Sequence, residues 1–118
     1  MKLNHLNLQV ADAAGMAAFL VEHFGCAVTL EKPDRSVIAL LADGFDLVLQ
    51  QADGGAPAYP PGFHFGFIVA DREQVEAIHT RLRRAGVAVD GEIGRSRRGS
   101  QFFLTAPGGL RMEVGCHG

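Results

Sequence analysis

The sequence predicts an α+β fold built from two tandem β-α-β-β-β modules, and three observations predict it. First, Leu3 to Asp12 alternates strictly: His5, Asn7 and Gln9 fall on one face of a strand, and Leu6, Leu8 and Val10 on the other. The same layout returns from Gly62 to Asp71, where His64 lies 59 positions after His5 in a chain of 118 residues. Second, each strand runs into an aspartate followed by a helical pattern, so Asp12 and Asp71 stand where N-caps belong. Third, the only linker-like stretch, Ala52 to Gly62 (ADGGAPAYPPG), is rich in Gly and Pro and falls at the midpoint. The chain reads as one half-module written twice.

Each element has a local reason. The first strand covers about Lys2 to Val10, and Asp12 caps a helix over Ala13 to Phe24. In that helix Met16, Phe19, Leu20 and Phe24 recur at helical spacing, and Gly25 takes the position after the cap. A strand from Cys26 to Glu31 is broken by Lys32-Pro33-Asp34. Val37 to Leu41 and Phe45 to Gln50 then flank Ala42-Asp43-Gly44, whose Asp-Gly pair signals a hairpin. In the second half, Phe63 to Val69 is a strand, and Asp71 caps a helix over Arg72 to Ala85 with Gln74 placed for a capping box. Val75, Ile78, Leu82 and Ala85 make its apolar stripe, and Gly86 stops it. Strands near Val87–Ile93, Gln101–Thr105 and Leu110–Gly115 complete the order, with Ala106-Pro107-Gly108-Gly109 as a tight turn. Gly94 to Ser100 (GRSRRGS) reads as a mobile basic loop. The expected organisation is a first module over 1–52, a linker over 53–62 and a second module over 63–118, together one domain. Its strands are expected to form a curved eight-stranded sheet around a cavity, with both helices outside.

Composition bounds the function. Apolar content of 47% and charged content of 20% are globular values. A net charge of −2 gives no reason to expect nucleic acid or an anionic membrane as partner. The arginines cluster at Arg81, Arg83, Arg84, Arg95, Arg97 and Arg98, but no nucleic-acid motif accompanies them, so they read as a solvated face. The two cysteines, Cys26 and Cys116, have neither metal-ligand spacing nor a disulfide framework. There is no signal sequence and no apolar run of membrane-spanning length, which leads to the expectation of a cytoplasmic protein. His23, His79 and His117 read as helix-surface and tail residues.

The two histidine-bearing strand-helix units, the paired modules and the closing run Pro107-Gly108-Gly109-Leu110-Arg111-Met112-Glu113-Val114 resemble the vicinal oxygen chelate superfamily. That superfamily includes glyoxalase I, fosfomycin-resistance enzymes, extradiol dioxygenases, methylmalonyl-CoA epimerase and bleomycin-resistance proteins. The resemblance implies that His5, His64 and Glu113 are metal ligands. A fourth position, Glu or Gln in the glyoxalase and epimerase branches, falls near Val48, which cannot ligate. Gln50 shares the strand face of Val48 and would reach that position only through a shifted register. Two histidines and one carboxylate suit Fe, Mn, Zn, Co or Ni and leave coordination positions open for substrate. Glu113 and Arg111 are the candidate catalytic residues. Arg111, on the face of Glu113 by parity, is expected to bind an anionic substrate or orient the glutamate, or else to form a salt bridge at the rim.

Departures from each branch narrow the implication. Extradiol dioxygenases use second-shell His and Tyr acid-base groups, whereas the only tyrosine here is Tyr59, in the linker, and the cavity position holds Phe103. Fosfomycin-resistance enzymes place a tyrosine near Phe103 and a potassium-binding loop where this chain has GRSRRGS, of which only Ser96 and Ser100 match. Glyoxalase I uses a ligating glutamate as base where this chain has Val48. The expectation is a metal-dependent enzyme of lyase, transferase or dioxygenase type, acting on a small oxygen-bearing substrate, as a homodimer. The alternative is a non-catalytic protein that sequesters a small molecule or antibiotic, in the manner of bleomycin-resistance proteins.

Overall fold

The computed structural model describes all 118 residues. Two compact units divide between Ala58 and Tyr59, inside the Gly/Pro-rich stretch. In the first unit the order is β1 (His5–Val10), α1 (Ala13–Phe24), β2 (Ala27–Glu31), β3 (Val37–Ala42) and β4 (Phe45–Gln51). These strands form a sheet in the order β1-β4-β3-β2, with β1 and β4 parallel and the other neighbours antiparallel. Strand alternation sends Leu8, Val10, Ile38, Leu40, Leu47 and Leu49 to one face, where they are buried with Ala13, Met16, Ala17 and Leu20 of α1. Each fully buried Leu or Ile contributes about 1.5–3 kcal/mol by leaving water. His5, Asn7 and Gln9 lie on the opposite face and are exposed.

Both ends of α1 follow from its flanking residues. Asp12 accepts a hydrogen bond from the Gly15 N–H at 3.0 Å, and Gly25 closes the helix in the left-handed region at φ 69°. The Gln51 side chain adds a tie that local patterning did not show. It accepts from the Ala13 N–H at 2.9 Å and donates to the Ala11 carbonyl, joining the end of β4 to the start of α1. Asp43 and Gly44 both take positive φ (47° and 82°), as a two-residue hairpin between β3 and β4 requires.

The second unit runs β5 (Phe65–Val69), α2 (Arg72–Arg84), β6 (Ala88–Val89), β7 (Gly94–Arg95), β8 (Gly99–Thr105) and β9 (Arg111–His117). Its sheet has the order β5-β9-β8-β6, with β7 also paired to β8. Met112, Val114, Cys116, Phe102 and Leu104 are buried on one face, as are Val75 and Leu82 of α2. Asp71 accepts from the Gln74 N–H at 2.9 Å, as in a capping box, but Gln74 Oε1 accepts from the Ala70 N–H rather than from Asp71.

The strands therefore lie in a four-stranded and a five-stranded sheet, and the ninth strand has a specific origin. The strand expected over Val87–Ile93 is reduced to the two-residue β6, and β7 arises after it in the segment expected to be a loop; the two pair with opposite ends of β8. Between them the chain turns at Gly91 (φ 51°), whose carbonyl receives a hydrogen bond from His79 Nε2 at 2.9 Å. His79 is accordingly not a surface residue: it is 6% exposed and packs edge-to-face on Phe102 at 4.9 Å. It takes the core position assigned by periodicity to Ile78, which is half-buried, and Ala85 is exposed.

The segment Gly94–Ser100 also differs from the expected mobile loop. It is a closed hairpin, with Gly94 opposite Gln101 and Arg95 opposite Ser100. The Ser96 N–H donates to the Gly99 carbonyl at 2.8 Å, and the Gly99 N–H donates back at 3.2 Å. Gly99 has φ 143°, and a Cβ there would lie 2.1 Å from the Cys116 carbonyl oxygen, so the turn demands glycine.

Candidate functional site

The site of the second unit is built on the sheet face turned away from α2. In β9, Met112, Val114 and Cys116 point into the core, so Glu113, Gly115 and His117 occupy the opposite face. Gly66 of β5 stands opposite Glu113, and Phe103 of β8 flanks it on the other side. A cavity of about 610 Å³ opens over this face, lined among others by His64, Ile68, Ser96, Arg98, Gln101, Glu113 and His117. Gly66 and Gly115 line it as well.

His64 and Glu113 thus share one wall. His64 directly precedes β5 and is oriented by two contacts. Its Nδ1 lies 2.9 Å from the Gly62 carbonyl oxygen, and its ring meets Phe103 edge-on at 5.4 Å. A carbonyl oxygen only accepts, so Nδ1 carries a proton and Nε2 is the ring nitrogen left to a ligand. The Glu113 carboxylate is half-buried and has no hydrogen bond or ion pair within the chain.

The first unit carries the other predicted residues. His5 Nδ1 lies 2.9 Å from Asn4 Oδ1, an acceptor, so this imidazole too presents Nε2. The β1–β4 pairing is continuous from His5↔Asp46 to Val10↔Gln51, with Asn7 opposite Val48 and Gln9 opposite Gln50. In the second unit Gly66, two residues after His64, faces Glu113; in the first, Asn7, two residues after His5, faces Val48. Val48 is therefore the counterpart of Glu113 and offers no donor. The register shift that would bring in Gln50 does not occur. Asp46, directly across from His5, is a carboxylate that sequence reasoning passed over, although strand parity places it on the face of His5.

Arg111 lies on the Glu113 face, but its guanidinium is engaged elsewhere. Nη1 pairs with Asp90 Oδ2 at 2.5 Å, and the group sits 5.3 Å from the Phe103 ring centre. It does not line the cavity, whereas Arg98 does. Nowhere do three or more His, Cys, Asp or Glu side chains converge to hold a metal ion.

A family model, the Glyoxalase/Bleomycin resistance protein/Dioxygenase superfamily, matches residues 2–114. The chain belongs to this superfamily. Among solved structures, a possible glyoxalase from Bacillus cereus is 32% identical, with 97% of each chain covered and a TM-score of 0.84. A lactoylglutathione lyase from Agrobacterium tumefaciens is 21% identical (98% and 92% covered, TM-score 0.81). The fosfomycin resistance protein FosX from Listeria monocytogenes is 20% identical (100% and 94% covered, TM-score 0.81). The last two likenesses speak for the fold alone. No curated protein matches this chain in sequence.

Members of the Glyoxalase/Bleomycin resistance protein/Dioxygenase superfamily generally use a divalent metal. The donor chemistry of the second unit fits one. An imidazole whose Nδ1 is turned to a carbonyl acceptor and an unpaired carboxylate, on one cavity wall, are the ligand types that Zn, Fe, Mn, Co and Ni accept.

Proposed function

We propose that this protein is a metal-dependent enzyme of its superfamily, acting on a small oxygen-bearing substrate held in the cavity of the second unit. One observation carries the reading: His64, its Nδ1 turned to the Gly62 carbonyl, and Glu113, free of any partner, line the same cavity. A buried or half-buried carboxylate is normally paired, and one left unpaired beside an oriented imidazole is poised for a cation. His5, with the same Nδ1 arrangement, is proposed as a third ligand, as the superfamily resemblance implies. When bound, a divalent metal supplies Lewis acidity toward developing negative charge on substrate oxygens. The residues of the chain do the rest. His64 and Glu113 hold the cation, the cavity above them admits the substrate, and Phe103 fixes the His64 ring.

The test is metal content by plasma mass spectrometry on protein refilled in turn with Mn, Fe, Zn, Co and Ni. About one metal per chain is expected, lost in His64→Ala and in Glu113→Gln and reduced in His5→Ala. Sub-stoichiometric metal that the substitutions leave unchanged would sink the enzyme reading. Ligand binding by such metal-free protein would then favour sequestration.

A further inference from the structure

At least four of the nine arginines hold ion pairs within the chain. Arg35 pairs with Glu31, Arg72 with Glu76 and Ser100, Arg83 with Glu92, and Arg111 with Asp90. Arg98 has no side-chain partner and is the one arginine that lines the cavity holding His64 and Glu113. The backbone beneath it is fixed. The Arg98 N–H donates to Ser96 Oγ at 3.2 Å, its carbonyl accepts from the Gly118 N–H at 2.8 Å, and the closed hairpin holds both. His117, opposite Gly99 at this end of β9, lines the cavity as well. His117 is four residues from Glu113 along one strand face, a separation of about 13 Å at the usual rise per residue.

The cavity is therefore polarised. An unpaired carboxylate sits toward one end, and a free guanidinium with an imidazole at the other. We propose that the substrate is an elongated acid, whose oxygen-bearing head lies at His64 and Glu113 and whose anionic tail, a carboxylate or a phosphate, is received by Arg98 and His117. The head end rests on the proposed metal-centred function; the tail end rests on Arg98 and His117 alone. A planar guanidinium suits both oxyanions because it offers two parallel donors to either. The volume of about 610 Å³ fits a molecule of that length, and a two- or three-carbon substrate would leave most of it to water.

The two ends are tested separately. Metal-free, ¹⁵N-labelled protein is titrated with inorganic phosphate and with glutarate, following the Arg98 side-chain Nε–H and the His117 ring by NMR. Both signals are expected to shift and saturate, with the stronger of the two anions naming the tail chemistry. The His117 shift is expected to vanish in Arg98→Gln, to survive in Arg98→Lys and to weaken with added salt. Unmoved Arg98 signals with both anions in the wild type, or an undiminished His117 shift in Arg98→Gln, would overturn the proposal. Metal-loaded protein is then titrated calorimetrically with an ω-carboxyalkyl hydroxamate and with its neutral methyl ester. The acid is expected to bind about five- to tenfold tighter, a preference lost in Arg98→Gln. Equal binding of acid and ester to the wild type also overturns it. If neither hydroxamate binds while the anions still shift Arg98, the metal-centred function fails and the anion site stands.

Discussion

Replacing Gly66 by alanine should weaken the fold measurably, against the usual sign of such a change. Gly66 is not in the left-handed region, so alanine meets no backbone strain there. In open space the change would stabilise the protein by about 0.4–1 kcal/mol, through a less flexible unfolded chain. Space is what is missing. A Cβ on Gly66 would lie 2.2 Å from the Glu113 carbonyl oxygen, 2.9 Å from its carbon and 3.0 Å from its Cβ. The obstacle is backbone, held in the parallel β5–β9 ladder from Phe65↔Met112 to Val69↔Cys116, so relief requires the two strands to separate. Overpacking of this kind costs about 1–3 kcal/mol, and the severity of the overlap puts this site at the upper end. The net expectation is a loss of about 2 kcal/mol, or a melting temperature lower by about 8 °C. Gly94→Ala is the control: it too lacks a positive φ, and its nearest atoms lie at 3.8 Å, so its effect should stay within about 0.5 kcal/mol. Thermal and urea unfolding followed by circular dichroism measure both. A Gly66→Ala protein that melts at or above the wild type would refute the close-approach argument. Because the same carbonyl belongs to Glu113, the variant should also take up less metal.

Two further outcomes follow from the buried and hydrogen-bonded titratable groups. Cys26 and Cys116 are both buried, and burial pushes the Cys26 thiol up, so neither should react with a disulfide reagent at neutral pH until the protein is unfolded. Fast labelling of the native protein would contradict their placement. The Ser36 hydroxyl and N–H donate to Asp34 at 2.7 and 3.0 Å and, with Lys32 nearby, hold its carboxyl below the usual range. A depressed folded-state pKa stabilises above the unfolded value, and that stabilisation fades as pH falls through the folded one. The effect is therefore confined to the acid side, below about pH 4. An NMR titration of Asp34 should move upward in Ser36→Ala, and an unchanged titration would remove Ser36 as the cause.

Much of this protein was legible before any tertiary contact was known. Strand alternation, the Asp12 and Asp71 caps, the Asp43-Gly44 turn and the half-length repeat are local properties, written in periods of two and 3.6 residues and in the backbone preferences of single residues. They placed His5 and His64 at equivalent positions of the two first strands, because the repeat and the parity along a strand need no knowledge of neighbours; Glu113 entered through the family resemblance of the closing run. What local pattern could not decide was how separate stretches meet. His79 looked like a helix-surface residue until the chain after α2 turned at Gly91 to accept its proton over Phe102. Gln50 stayed away from the Val48 position because the β1–β4 ladder runs without a slip, and register is set by the pairing of whole strands. Arg111 and Arg98 look alike in sequence. Only the path of the segment from Val87 to Ser100 gives Arg111 the carboxylate of Asp90 and leaves Arg98 facing the cavity, since a flexible charged side chain is committed by whatever partner the fold brings within reach.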